Sequence, residues 1–144
     1  MTDTTLNGYK PMPRSRSKYF NQLLLLVMAA HTCAAAAFTE ANIVRAIVGE
    51  GAACDYEVKR GLASAIYNRG TLDGVYGVHA SHNKSEPKWV WQDARRAAKE
   101  GRTNDFVYGA SYFGDWRDVE NGTFIGHTFV CALGTGKNTI YFYR

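Results

Sequence analysis

The feature that most constrains this chain is an uncharged apolar run near its N-terminus. Residues 23–38 read LLLLVMAAHTCAAAAF, with four consecutive leucines at one end and an alanine tract at the other. The polar residues before it carry Lys10, Arg14, Arg16 and Lys18, with no acidic residue among residues 9–18. A surface helix of a soluble domain has a polar face, which a run of leucines lacks. The run therefore separates a leading segment from the rest of the chain.

This order of segments is typical of a secretory signal or a signal anchor. A basic region, a leucine-rich region and small residues up to Ala37 predict a cleavage site just before Phe38. The run is short for a membrane-spanning helix, and the positive charge before it directs everything after Phe38 out of the cytoplasm. We therefore predict an exported, periplasmic or otherwise extracytoplasmic protein, anchored in the inner membrane through residues 19–38 if these are not cleaved. The alternative is a core helix of a cytosolic protein.

Length and charge limit what the remaining residues can be. The chain has 144 residues, of which 46% are hydrophobic, so residues 39–144 suffice for one domain and not for two. The formal net charge is +4, with basic and acidic residues interleaved. Such a mild bias attracts the phosphate and carboxylate polymers of a bacterial envelope as readily as nucleic acid. We therefore predict residues 1–38 as a targeting segment and residues 39–144 as a single domain.

The pattern of apolar residues predicts a mostly helical α+β domain with short strands, preceded by an apolar N-terminal helix. The predicted helices are Glu40–Val48, with Thr39 as N-cap and Gly49 as its end, then Tyr56–Tyr67 and Trp91–Lys99. On the second helix, Val58, Leu62, Ala65 and Ile66 form the apolar face, and Glu57, Lys59 and Arg60 the opposite face. The runs Phe106–Phe113, Phe124–Leu133 and Thr139–Tyr143 predict strands. Glycines 70, 74 and 77 and residues 81–87 predict a loop that can form a groove wall.

Glu50 is the residue best placed to carry chemistry. It lies between the first two predicted helices, flanked by Gly49 and Gly51, so its side chain can enter a cleft between them. Partial desolvation raises the pKa of a carboxyl group, which keeps a glutamic acid protonated and able to donate near neutral pH. The alternative is a structural role, in which Glu50 caps the next helix or pairs with Arg45.

The order of several short motifs around Glu50 resembles one family. The chain reads IVRAIVGEG over residues 43–51 and ASAIYNR over residues 63–69, then Gly77-Val78. Further on come Ala94 to Gly101, with the spacing Ala-x-x-Ala-x-x-Gly, the tetrapeptide ASYF at residues 110–113 and IGHTF at residues 125–129. This succession, over residues 42–143, resembles the spore cortex-lytic and cell-wall hydrolase family.

Two departures from the family pattern stand out. The element at residues 125–129 is one residue shorter than the family's Ile-Gly-x-His-x-Phe. The family's Gln-Phe-Ser-Trp segment has no clear counterpart, although Trp89 or Trp91 can take its place. The resemblance therefore rests on the shared order of the motifs.

The resemblance implies a lysozyme-like catalytic domain that cleaves peptidoglycan between N-acetylmuramic acid and N-acetylglucosamine. It implies a lytic transglycosylase or a muramidase, with Glu50 as general acid and then base, peptidoglycan as partner and no cofactor. A hydrolase needs a second carboxylate across the bond. Asp55, Asp73 and Asp115 are candidates, but none stands in a matching motif. We therefore favour the mechanism with one carboxyl group.

Aromatic and amide side chains are the candidate sugar contacts. Tyr112 and Phe113 can stack on pyranose rings, although packing in the core is an equally good interpretation. Asn68 and Tyr108 are further candidates. For Arg69, which ends the second helix next to Asn68, we favour a structural role.

Histidine and cysteine residues leave several hypotheses open. His79 and His82 have no accompanying carboxylate, so we predict exposed histidines and no metal site. Cys54 and Cys131 can form the disulfide of an exported protein. Alternatively, Cys33 exchanges with them after leaving the membrane, as in phage endolysins with a signal-arrest-release segment.

Two other functions remain open. One is a wall-binding or virion-associated module with a lysozyme-like groove and no turnover. The other is a nucleic-acid-binding protein that contacts phosphates through Arg95, Arg96, Lys99 and Arg102. We do not expect a nucleic-acid partner, because the apolar N-terminal segment has no role in such a protein.

Overall fold

The first helix begins where the sequence predicts and ends later. In the computed structural model, which describes residues 36–144, the Asn42 amide donates a hydrogen bond of 3.3 Å to the Thr39 hydroxyl. Helix α1 then runs over Glu40–Gly51. The predicted end at Gly49 is wrong, because the helix continues through this glycine and Glu50. Glu50 is thus held in the last turn of a helix rather than in a connecting loop.

Two longer helices, one short helix and three 3-10 segments complete the helical part of the described residues. Helix α2 is Tyr56–Arg69, and it ends at Gly70, whose φ of 71° is the left-handed conformation that glycine accepts. Two 3-10 helices, Tyr76–His79 and Ser81–Ser85, occupy the predicted loop region. Helix α3 is Lys88–Gly101 and the short α4 is Trp116–Glu120. A last 3-10 turn covers Gly136–Asn138.

Three short antiparallel strands form the sheet. Strands β1 (Tyr112–Gly114), β2 (Phe129–Leu133) and β3 (Ile140–Tyr143) lie in the order β1-β3-β2. The predicted strand starts at Phe106 and Phe124 are wrong. Residues 106–111 form a turn, in which the Asp105 carboxylate accepts hydrogen bonds from the Val107 and Gly109 amides. The described residues thus form an α+β structure, as predicted, with less strand than expected.

The core lies where α1, α2 and α3 pack together. Its buried residues include Ile43, Ile47, Leu62, Ile66 and Ala94. Helices α2 and α3 approach closely, because a methyl group on Gly101 would lie 2.6 Å from Cβ of Ala63. Inside the described part of the chain, no helix has the length and apolar character needed to cross a bilayer. The predicted N-terminal helix and Cys33 fall outside the described residues.

Lys59 departs from the predicted helix faces. The sequence pattern predicts this residue on the polar face of α2, but its side chain is fully buried. Its Nζ lies 3.7 Å from Oδ2 of Asp93 and 5.0 Å from the centre of the Trp89 ring on α3. The long aliphatic stem can be buried while the ammonium reaches a carboxylate and an aromatic face. A pattern along one helix does not report such partners on another.

Candidate active site

A cleft of about 600 Å³ opens beside the C-terminal end of α1. One side, which we call the acid wall, consists of the last turn of α1 and the 3-10 helix Tyr76–His79. The other side, the aromatic wall, consists of β1, α4 and residues 121–128. Glu50 lines the cleft from the acid wall, and Tyr112 and Asp118 line it from the aromatic wall. The volume lies within the range of ligand-binding clefts.

Direct contact between two backbones builds the acid wall. A methyl group on Gly49 would overlap the carbonyl oxygen of Gly77. Conversely, a methyl group on Gly77 would lie 2.5 Å from the Ala46 carbonyl oxygen and 2.6 Å from Cγ of Glu50. Only glycine at both positions allows α1 and the 3-10 helix to approach this closely. Both glycines belong to the motifs that carry the family resemblance.

This contact fixes the carboxyl group of Glu50. The Gly77 amide donates a hydrogen bond of 2.6 Å to Oε1 of Glu50. On the other side of the same residue, Nδ2 of Asn83 donates 2.9 Å to the Gly77 carbonyl oxygen. Asn83 is 3% exposed. A buried amide thus orients Gly77, and Gly77 orients the carboxyl group.

The surroundings of Glu50 favour its protonated form. Burial raises the pKa of this carboxyl group above its ordinary value, and this outweighs the opposing hydrogen bond from the Gly77 amide. The negative charge of Asp118 raises the pKa further, whereas His82 opposes it. A half-buried carboxyl group with a raised pKa at the edge of a cleft is suited to donate a proton to a bound molecule.

The carboxylates of the aromatic wall serve first to cap α4. Asp115 accepts hydrogen bonds from the amides of Arg117 and Asp118, and the Asp118 carboxylate accepts one from the Asp115 amide. Asp115 also pairs with the Arg117 guanidinium at 2.6 Å, which holds the pKa of the Asp115 carboxyl below its ordinary value. Asp118 has no such ion pair among the described residues. It is therefore the freer of the two carboxylates facing Glu50.

Aromatic and cationic side chains stack on the aromatic wall. The rings of Tyr112 and His127 lie 4.2 Å apart, and the Arg69 guanidinium lies 5.2 Å from the Tyr112 ring centre. Phe124 stacks on Tyr143 of β3 at 4.3 Å, which holds residues 121–128 against the sheet. These contacts leave Tyr112 partly open to solvent, with 36% of the residue exposed.

The structure brings some of the predicted site residues together and leaves others apart. Glu50, Tyr112 and Phe113 all line the cleft, although Phe113 also packs against Phe142 at 6.4 Å between ring centres. Asn68 bonds instead to Asp105 and to the Ala110 carbonyl. Tyr108 is 75% exposed and lies outside the cleft lining.

Arg69 and the other candidate carboxylates also differ from expectation. Arg69 lines the cleft, although the sequence favours a purely structural role for it. Asp115 lines the cleft as well, whereas Asp55 and Asp73 do not. Asp55 instead precedes the first turn of α2.

The predicted disulfide is not formed. Cys54 and Cys131 are both free thiols, and Sγ of Cys54 lies 3.7 Å from the Asn138 carbonyl oxygen. Burial raises the pKa of both thiols. His79 and His82 are exposed, as predicted. Within residues 36–144, no group of three or more histidine, cysteine or acidic side chains is arranged to hold a metal ion.

Three site residues are not evident from the sequence as contributors to the cleft. The spacing Asp115-x-x-Asp118 is that of a helix capping box, so the sequence indicates a role for Asp118 at a helix start. This spacing does not indicate that Asp118 lies near Glu50. Asn83 lies in a polar stretch that predicts an exposed loop, and His127 contacts Tyr112 only in the folded chain.

Comparison of the chain with protein-family models, with curated proteins and with solved structures found no match.

Proposed function

We propose that residues 39–144 form a lysozyme-like glycosidase that cleaves bacterial peptidoglycan, with Glu50 as its acid. The observation that supports the proposal is the environment of the Glu50 carboxyl group at the edge of a cleft. This group is half-buried, its pKa is raised, and the Gly77 amide orients it. A glycosidic oxygen is a poor leaving group until it is protonated, so a carboxyl group that stays protonated meets the first requirement of the reaction.

The position of the family-like motifs adds support. Members of four separate motifs line the cleft or touch its acid: Gly49-Glu50, Arg69, Tyr112-Phe113 and His127. A fifth, Gly77, bonds to Glu50. These motifs are far apart in the chain, and the fold brings them to one cleft. Their convergence supports a substrate cleft more than a set of chance matches.

In the proposed reaction, Glu50 donates its proton to the oxygen between N-acetylmuramic acid and N-acetylglucosamine. The resulting carboxylate then accepts a proton from the C6 hydroxyl of the muramoyl residue, whose oxygen closes the anhydro ring. The Gly77 amide stabilises the carboxylate between the two steps. Tyr112 offers an aromatic face for a sugar ring and Arg69 a cation for the carboxylates of the muramoyl side chain.

A hydrolytic variant has one observation in its favour. Asp118 lines the same cleft, and its charge acts on Glu50. In a muramidase, Asp118 would be the second carboxylate that stabilises the cationic transition state or activates water. The proposed substrate lies outside the cytoplasm, so both variants require the export that residues 1–38 predict.

The products distinguish these possibilities. Purified peptidoglycan is digested by the full chain in water labelled with heavy oxygen, with Glu50→Gln as control, and the released muropeptides are analysed by mass spectrometry. Anhydro-muropeptides without the label, absent from the control, are expected for the transglycosylase. Reducing ends that carry the label would identify a muramidase. Binding without soluble products would instead identify a non-catalytic wall-binding module and refute the glycosidase.

A further inference from the structure

A second concavity lies on the opposite side of α1 from Glu50. This Trp91 groove, of about 570 Å³, is lined by apolar surface of Ala41, Val44 and Trp91 and by the cations Arg45, Lys84 and Arg95. At 3.6 residues per turn, Ala41, Val44 and Arg45 cluster about 180° around α1 from Glu50. The groove and the catalytic cleft therefore use opposite faces of the same helix.

The charges of the Trp91 groove are unbalanced. Arg45, Lys84 and Arg95 are exposed, and none of them forms an ion pair with another residue in 36–144. Glu40 is the single acidic residue in the lining. Elsewhere on α3, Arg96 is paired with Glu100 at 3.0 Å. The groove thus presents an excess of positive charge that calls for an anionic partner.

The apolar part of the lining narrows the class of partner. Trp91 is half-buried and packs against the core, so its indole is a fixed apolar surface between the cations. A nucleic acid duplex or a wall phosphate polymer would meet the cations through its phosphates and would offer no apolar group to this surface. Tryptophan beside lysine and arginine is the combination found where proteins meet the headgroup region of an anionic bilayer.

The path of the chain agrees with a membrane partner. Glu40 and Ala41, in the first turn of α1, line the groove, and residues 36–39 lead directly into that turn. Residues 19–38 are predicted to anchor the chain in the inner membrane if they are not cleaved. We propose that the Trp91 groove docks the domain on an anionic phospholipid bilayer, with its three cations on lipid phosphates and Trp91 among the headgroups. Docked in this way, the domain turns its Glu50 cleft away from the membrane. The docking does not depend on the reaction at Glu50.

The test reads Trp91 directly in the full chain, so that membrane insertion of the leading segment does not dominate the result. Trp89→Phe and Trp116→Phe leave Trp91 as the single tryptophan. This protein is reconstituted into vesicles of brominated phosphatidylcholine, with and without brominated phosphatidylglycerol. We expect a blue shift and quenching of Trp91 emission only when phosphatidylglycerol is present. Removing three cations by Arg45→Ser, Lys84→Ser and Arg95→Ser should weaken docking by up to about 100-fold.

A matched control removes the same charge elsewhere. Arg69→Ser, Lys137→Ser and Arg144→Ser take away three cations, two of which line the catalytic cleft, and should leave the quenching unchanged. The proposal is overturned if Trp91 emission is the same in both vesicles, or if the two triple variants lose quenching equally. It is also overturned if a soluble phosphate polymer reproduces the shift.

Discussion

The two walls of the cleft are built by different means. On the acid wall, Gly49 and Gly77 bring two backbones into direct contact, and a buried amide holds the arrangement. On the aromatic wall, α4 buries none of its residues, and the surface consists of stacked side chains and a capped turn. The first wall cannot adjust without moving a helix, whereas the second can. We infer that the acid wall sets the rate of the reaction and the aromatic wall sets substrate affinity.

The largest expected effect comes from Gly77→Ala. Its methyl group would press on the Ala46 carbonyl and on Glu50, and neither backbone can give way. We expect a loss of about 3 kcal/mol in the free energy of unfolding, measured by urea denaturation, together with loss of activity. Gly51→Ala is the control, because the one close contact of its methyl group, at 2.8 Å, is with the end of the Leu62 side chain rather than with a backbone. It should change stability by less than about 1 kcal/mol. Equal losses would contradict the rigid acid wall.

Asn83→Ala tests the buried amide behind Gly77. Removing Nδ2 takes away one of the two donors to the Gly77 carbonyl oxygen, the other being the Ala80 amide. The loss of such a bond costs about 0.5–1.5 kcal/mol. We expect a lower melting temperature and a lower kcat, because Gly77 also orients Glu50. Asn68→Ala is a matched change at an exposed asparagine and should alter neither kcat nor KM. If Asn68→Ala lowered kcat and Asn83→Ala left kcat unchanged, Asn83 would not be the residue that orients Gly77 and Glu50.

Tyr112→Leu tests the aromatic wall through substrate affinity. Loss of the ring removes stacking worth about 1 kcal/mol, so KM for peptidoglycan fragments should rise several-fold while kcat is retained. Tyr108→Leu removes the same side chain outside the cleft and should have no effect on either constant. A fall in kcat with unchanged KM for Tyr112→Leu would show that this wall takes part in the chemical step.

Asp118→Asn should have the smallest effect. The negative charge of Asp118 raises the pKa of Glu50, so its removal lowers that pKa. The alkaline limb of the pH–rate profile should then move to lower pH, with little change in the maximal rate, because asparagine can still accept the capping hydrogen bond. A large loss of kcat at every pH would instead identify Asp118 as the second carboxylate of a muramidase.

Local patterns predicted the helices and the position of the acid. Thr39 as N-cap, the apolar faces of α1 and α2 and the flanking glycines of Glu50 depend on neighbours within a few residues. The predicted strand start at Phe106 is wrong because Asp105 bonds the amides of Val107 and Gly109, and such side-chain bonds compete with strand pairing. The start at Phe124 is wrong because turns occupy this region, in which the His127 amide bonds the Phe124 carbonyl oxygen.

Long-range partners explain what the sequence does not reveal. Lys59 is buried because Asp93 and Trp89 lie on another helix. Asn83 is buried because α1 packs over it, and Asp118 acts on Glu50 across the cleft. None of these contacts leaves a periodic pattern along the chain. The polar residues that tune an acid are therefore the hardest part of such a site to predict.

If Glu50 cleaves glycan as a protonated acid, the rate must follow the protonation of its carboxyl group, which a pH–rate profile measures. Release of muropeptides is measured for the wild type and for Glu50→Gln, which keeps the shape of the side chain but cannot donate the proton. We predict that the wild-type rate falls as pH rises through the raised pKa of Glu50, and that Glu50→Gln is slower by about 100- to 10,000-fold at pH values below that pKa, where the wild-type carboxyl group is protonated. Cleavage by Glu50→Gln at the wild-type rate would contradict the account.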